Sequence, residues 1–257
     1  MQEPATPLEV ATAATAAFLT RELAPASRLL EIGCGSGEVA VALARAGHQV
    51  LAIDGDPDRV AAARRLGVDA RQAAWPGFGE HAATHRFDAI AFTRSLHHVA
   101  PLARALAVAH ARLEPGGLLL IEDFAFETID GAAVGWLLAQ ARAAASRRLL
   151  QPVAGELVTT LLAAGDPLAA CRAAHDHELH PFHAIAAEVA ARFDVVRSTA
   201  APYLFRYLIT VLPATPSAAA FVAAAAAAEI AAASRGELPA VGRRLVALAT
   251  PGGAESG

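Results

Sequence analysis

Between Arg28 and Phe124, short apolar runs alternate with stretches whose apolar positions recur every three or four residues. Runs of the first kind are what strands buried on both faces require; the second kind suits amphipathic helices. The pattern predicts strands at Arg28–Ile32, Gln49–Ile53, Val68–Ala73, Phe87–Phe92 and Leu118–Ile121. Between them it predicts helices over Glu38–Ala46, from an Asp56-Pro57 cap to Leu66, and from Pro101 to Leu113, with Glu114-Pro-Gly-Gly117 as a turn. Ahead of these, Thr6-Pro-Leu-Glu9 has the form of a capping box with proline at the first helical position, opening a helix to about Leu23. Strands and helices in strict alternation imply an α/β fold, a doubly wound parallel sheet covered on both faces.

After Asp123 the regularity ends. Asp130 can cap a helix that places Val134, Leu137, Leu138, Ala141 and Ala145 on one face, and helical pieces continue to about Ala191. This predicts a helical cap, Glu127 to Ala191, inserted after the fifth strand of one domain spanning residues 1–257. "RFDVVRST" and "YLFRYLITVL" then read as the closing antiparallel pair of a seven-stranded sheet. Thr215 and Pro216 open a long helix that Gly236 ends. Glu229 interrupts that alanine-rich helix, and its uncharged part falls short of the roughly 20 residues a bilayer demands. The expectation is therefore a helix packed on the domain or on a partner, with no membrane.

Composition narrows the class a little. The chain has 257 residues, 55% of them apolar, but alanine supplies much of that share and buries little area per residue. A formal charge of −4 gives no basis for a nucleic-acid surface. Two cysteines, Cys34 and Cys171, cannot make a disulfide framework, and no leader is read ahead of them, so a cytoplasmic chain is expected.

The chemistry concentrates in "LLEIGCGSGEVAVALA", from Leu29 to Ala44. A strand ends, the chain turns on glycines, and a helix begins with free N–H groups; a ligand can approach such a backbone closely. Gly35-x-Gly37-x-x-Ala40 satisfies a loose dinucleotide fingerprint, with Asp54 about 20 residues on. Against that, Glu38 puts a carboxylate at the helix N-terminus, where a pyrophosphate would be repelled. Glu31 at the strand end suits an ammonium group instead.

Further residues support the second reading. Glu31-x-Gly33-x-Gly35-x-Gly37, Asp54 at the second strand end, "FDAI", "SLHHV" and Pro115-Gly116-Gly117 follow one another from Leu29 to Phe124. In that order they resemble the class I S-adenosylmethionine-dependent methyltransferases, most closely the branch acting on small molecules. The resemblance implies S-adenosylmethionine as cofactor and methylation of a small organic molecule, at oxygen before nitrogen or carbon. It implies that Gly33, Gly35 and Gly37 form the loop under the methionine part and that Glu31 orients its amino group. Asp54 would take both ribose hydroxyls, and Thr93 and Arg94 would line the cofactor near the sulfur, largely through their backbone. Where many such enzymes have an acidic residue near the adenine, this chain has "RQAAWPGF"; Trp75 either stacks on the adenine or is a core aromatic.

Methyl transfer to a hydroxyl needs an in-line nucleophile and a base for its proton. The candidates are His97 and His98 after the fourth strand, and Glu122 and Asp123 at the end of the fifth. "HDHELHPFH" gathers His175, Asp176, His177, Glu178, His180 and His183, but lacks the His-Glu-x-x-His spacing, and Pro181 breaks any single helix face. It is read as a substrate-facing cap or an ordinary polar loop, with no metal. Cys34 reads as a small filler, and Arg147 and Arg148 as charges suited to a helix C-terminus. The assembly is left open, a homodimer included. Two rival functions share these residues: a cofactor-bound protein with a non-methylating role such as cyclisation, and a non-catalytic binding subunit.

Overall fold

The structure, a computed structural model, describes residues 4–78, 86–176 and 178–250. The chain opens with α1 (Pro7–Glu22), β1 (Arg28–Ile32), α2 (Glu38–Arg45), β2 (Gln49–Asp54), α3 (Pro57–Arg65) and β3 (Asp69–Gln72). Then come β4 (Phe87–Thr93), a 3-10 turn at Leu96–His98, α4 (Leu102–Arg112) and β5 (Leu113–Phe124). The remainder is α5 (Gly131–Ser146), α6 (Leu157–Ala163), α7 (Pro167–Ala174), α8 (Phe182–Ala190), β6 (Phe193–Ala201), a 3-10 segment Leu204–Val211, α9 (Pro216–Ser234) and β7 (Gly242–Ala249).

The seven strands form one sheet in the order β3-β2-β1-β4-β5-β7-β6, with β7 antiparallel, and helices cover both sides. Pairing of β1 with β2 and β4, of β2 with β3, and of β4 with β5 is parallel. The order reverses between β1 and β4, so the loops leaving these two strands diverge; in such sheets that is where ligands bind.

Local chemistry explains most boundaries. Glu9 N–H donates to Thr6 Oγ1, and Thr6 N–H to Glu9 Oε2, both at 3.2 Å, so the capping box closes. Asp56 accepts from the N–H groups of Asp58 and Arg59 and starts α3 at Pro57. Asp130 Oδ1 accepts from Ala133 N–H at 2.9 Å and starts α5. The face α5 buries includes Val134, Leu137, Leu138 and Ala141 as expected, but continues to Ala144 and leaves Ala145 exposed. The expected turn at Glu114–Gly117 lies inside β5 as an irregularity. Phe87 faces Leu113 and Ala89 already faces Leu118, so residues 114–117 are looped out of register.

One strand assignment is corrected. "YLFRYLITVL" is not the closing strand; Leu204–Val211 is wound as 3-10 helix, and β7 is formed by "GRRLVALA". The cause is distant in sequence. The buried Glu229 carboxylate of α9 accepts from the N–H groups of Tyr203 at 2.6 Å, Leu204 at 2.9 Å and Phe205 at 3.0 Å. These donors are thereby satisfied without a strand partner. By length and composition alone α9, at 19 residues, could span a membrane; 39% of its most apolar window is buried within the protein.

The chain divides into two compact units. One comprises residues 1–12, 124–179 and 200–243 and has a core of Val134, Leu137, Leu161, Phe205, Leu208 and Val222, among others. The other comprises 13–123, 180–199 and 244–257. Its core packs Leu19, Leu29, Leu43, Ala89, Ala91 and Leu120 on one cluster and Ala40, Ala52, Val60 and Ala63 on another. Residues 127–191, expected as one cap, are divided between the units at 179–180.

Candidate active site

In the unit built on β1–β5, a cavity of about 550 Å³ opens over the ends of β1, β2 and β4. Gly33, Gly35, Asp54, Trp75, Arg94 and His98 all line it, six residues singled out from sequence. Arg59, Ser95 and Val99 line it as well and were not anticipated.

Each glycine has its own reason. All three have positive φ, +73° at Gly33, +56° at Gly35 and +86° at Gly37, which side-chain-bearing residues rarely adopt. A Cβ on Gly33 would collide with the Ser95 side chain, and one on Gly37 would lie 2.7 Å from Ala63 Cβ. At Gly35 nothing is closer than Arg59 at 3.7 Å. Gly33 and Gly37 therefore let protein elements pack, whereas Gly35 leaves open space at the cavity wall. Cys34 between them is buried, with its thiol pushed up to about 12 chiefly by desolvation; it stays protonated and fills space.

Asp54 closes β2. Its Oδ2 accepts from Gly35 N–H at 2.8 Å and its Oδ1 from Asp56 N–H at 3.0 Å. Each carboxylate oxygen still has a lone pair to offer, so two further donors could be taken from the cavity.

Glu31 is fully buried in mid-sheet. Its Oε1 accepts from Thr93 Oγ1 at 2.8 Å, while Oε2 has no hydrogen-bond partner. Removal from water raises its pKa to about 7, against the lowering effects of Thr93 and of the Arg94 charge. A buried, half-satisfied carboxylate beside a glycine loop fits a ligand ammonium group. The residues present thus suit S-adenosylmethionine, with Glu31 for the amino group, the glycine loop for close approach and Asp54 for vicinal hydroxyls.

Trp75 is 8% exposed; its indole N–H donates to Ala105 O at 3.1 Å and its ring meets Phe92 edge-on. It is anchored in the core and also forms part of the cavity wall.

The four candidate bases separate. His97 is buried, and His98 is exposed on the cavity. His97 Nδ1 lies 2.7 Å from Asp123 Oδ1, and its backbone N–H donates to Asp123 Oδ2 at 3.2 Å. These two contacts hold the His97 ring and backbone against one carboxylate. The two imidazoles are 4.1 Å apart between centroids. Glu122 is taken up by other groups: Thr15 Oγ1 donates to it at 2.6 Å, Arg244 Nε at 2.8 Å and Arg94 Nη1 at 3.3 Å. Neither carboxylate lines the cavity.

Two residues of the histidine-rich segment, His175 and His180, are held by hydrogen bonds within the protein. His180 N–H donates to His97 O at 2.9 Å and its Nε2 lies 3.1 Å from Val99 O, pinning the turn that carries both histidines. In the other unit, His175 Nδ1 meets Cys171 O at 2.8 Å and Nε2 meets Tyr207 Oη at 3.0 Å. His177 lies outside the described residues, and among those described no cluster of three His, Cys, Asp or Glu could hold a metal.

Comparison with known proteins agrees with this geometry. A profile described as "Methyltransferase domain" matches residues 8–155, more than half of the chain. The ubiquinone biosynthesis O-methyltransferase of Methylocella silvestris is 35% identical over 123 residues, 42% of this chain and 47% of that protein. Its counterpart from Xylella fastidiosa is 39% identical over 132 residues, 48% of this chain and 50% of that protein. The chain thus spans about half the length of the curated relatives it matches. N-methyltransferase NodS from Bradyrhizobium japonicum WM9, solved with S-adenosyl-L-homocysteine, shares the fold at 13% identity and a TM-score of 0.52, over 95% of this chain and 88% of that one. Glycine loop, strand-end carboxylates, sheet order and profile converge: the chain belongs to the class I S-adenosylmethionine-dependent methyltransferases.

Proposed function

We propose that this protein methylates a small organic molecule at a hydroxyl oxygen, with His98 as the base. The observation that carries the reading is the placement of His98. It is the one of the four candidate bases that lines the cavity formed by the glycine loop and Asp54. The names of the curated relatives support oxygen as the acceptor atom.

The cofactor supplies an electrophilic methyl group on a sulfonium whose thioether leaves readily. The chain's task is therefore to bind, to orient and to move one proton. Glu31 and Asp54 hold the two polar ends of the cofactor, and the loop from Gly33 to Gly37 sets its depth. His98 takes the acceptor's hydroxyl proton as the oxygen attacks. His97, locked by Asp123 and pinned through its carbonyl by His180, positions the His98 ring. Two buried free cysteines suit a cytoplasmic setting.

The test is S-adenosylhomocysteine formation with a panel of small phenols and alcohols, for wild type and His98→Ala. The expected result is turnover with at least one acceptor and a kcat roughly 10²–10⁴-fold lower in the variant. Affinity for S-adenosylhomocysteine should hardly change. A variant that keeps wild-type kcat refutes His98 as base; affinity for the cofactor with no turnover on any acceptor favours a binding subunit.

A further inference from the structure

We infer that a second cavity, beside α7, is a binding site for an uncharged aromatic ring. It stands apart from the cofactor assignment. Its lining residues all fall within residues 124–179, inside one of the two units, and none of them lines the cavity over β1, β2 and β4.

Three observations carry it. First, the space suits a small molecule. The cavity has a volume of about 510 Å³ and is lined by the 3-10 turn Phe126–Thr128 and the C-terminal end of α7. Small-molecule sites are commonly about 300–1,000 Å³. Phe126, Ile129, Cys171 and His175 give this one an apolar and aromatic wall.

Second, rings are concentrated here. Only 5% of the chain is aromatic, yet both of its tyrosines, Tyr203 and Tyr207, gather with Phe124, Phe126 and His175. Phe124 stacks on Tyr203 with centroids 4.6 Å apart, and both are buried in the core. Phe126 and His175 are different. They are half-buried, they line the cavity, and their rings lie 6.0 Å apart with planes only 5° from parallel. A planar ring entering such a site gains offset or edge-on contacts that a saturated ring of the same size lacks.

Third, the polar groups of the wall are already engaged. His175 Nδ1 lies 2.8 Å from Cys171 O and Nε2 lies 3.0 Å from Tyr207 Oη, which fixes the orientation of the imidazole. Burial pushes the Cys171 thiol up, so at neutral pH it is a small apolar group. Charge enters only at the exposed residues Glu127, Arg172 and Asp176, which carry both signs, and Glu127 also acts on the Arg243 charge. The rim therefore selects no ion. The wall selects by shape and by contact between rings.

The experiment is calorimetric titration of the full chain, without cofactor, using 2-naphthol and its saturated counterpart decahydro-2-naphthol. Wild type should bind the aromatic ligand roughly 3–10-fold more tightly, the range expected for ring contacts beyond area burial. Raising the salt from about 0.05 to about 0.5 M should leave both affinities unchanged. Phe126→Leu keeps the wall apolar and should at least halve the preference. Should that variant prove poorly folded by its melting curve, Ala173→Trp at an exposed position of α7 fills the cavity and should abolish binding of both ligands. Equal affinity for the two ligands in wild type, no binding of either, or unaltered binding in folded Ala173→Trp overturns the site. The ring can belong to the methyl acceptor or to a regulatory ligand, and adding S-adenosylmethionine separates them. Formation of 2-methoxynaphthalene assigns the ring to the acceptor, and binding without methylation assigns it to a regulator; either result upholds the site. Because binding is read without cofactor or turnover, its failure leaves the roles of His98 and of the glycine-loop cavity standing.

Discussion

Glu31 offers the sharpest test, because its burial converts ligand binding into a proton balance. In the free protein its carboxyl titrates near 7, raised from 4.5 mainly by desolvation. Between those values the folded chain holds a proton that the unfolded chain has released, so stability falls as pH rises through this window. At about 1.4 kcal/mol per unit the full penalty is about 3 kcal/mol above pH 7. A ligand ammonium at Oε2 favours the ionised form and removes the penalty. Binding below pH 7 must therefore expel the proton, and affinity for S-adenosylhomocysteine should weaken up to about tenfold per pH unit below 7. Above 7 it should level off until the ligand's own ammonium titrates. Calorimetry at pH 6 in two buffers of different ionisation enthalpy should show close to one proton released per ligand bound, falling towards zero at pH 8. Glu31→Gln should abolish the release, weaken binding at pH 8, and leave the free protein more stable than wild type at that pH. Affinity independent of pH between 5.5 and 7.5, with no proton released, would refute the placement of the ammonium at Glu31.

Three other outcomes can be checked directly. Asp54→Ala should weaken S-adenosylhomocysteine binding at least tenfold by titration, since it removes charge-assisted bonds worth about 1.5–3 kcal/mol each; equal affinity would place the ribose elsewhere. Turnover should survive chelator, and metal analysis of the purified protein should find no stoichiometric zinc or iron; loss of activity on metal removal would reverse that view. Glu229→Ala strips the partner from three backbone N–H groups and should lower stability by about 3 kcal/mol or more, visible as a drop in melting temperature; an unchanged curve would mean that water replaces the carboxylate.

What could be read from the sequence is what is decided within a few residues. Thr6 and Glu9, Asp56, Asp130 and Thr215 each cap the helix that follows them, so those starts lie within a residue or two of expectation. The glycine loop and Asp54 are likewise local, a strand end and its turn. Failures came where a partner is far away. Leu204–Val211 has strand-like composition, yet its fate depends on Glu229 about 25 residues later. β7 carries Arg243 and Arg244, which look like surface residues until Arg244 is seen to neutralise Glu122 across the sheet. The same pairing bears on Glu122. Its position at a strand end is legible, but the cations that occupy it come from residues 94 and 244. His97 and His98 are neighbours of identical type; only Asp123 and the cavity distinguish them.

Asp54 shapes the site before any ligand arrives. By accepting from Gly35 and Asp56 it ties the loop after β1 to the loop after β2. Both walls are thus preorganised, and the entropy of ordering them is lost when the chain folds and not when a ligand binds. Association should then proceed without an ordering step at this end of the cavity, and amide exchange at Gly35 should be slow already in the free protein. It also means that one carboxylate sets both ligand preference and loop rigidity. Redesign toward analogues altered at the ribose is therefore better aimed at Arg59 or the open side of Gly35 than at Asp54.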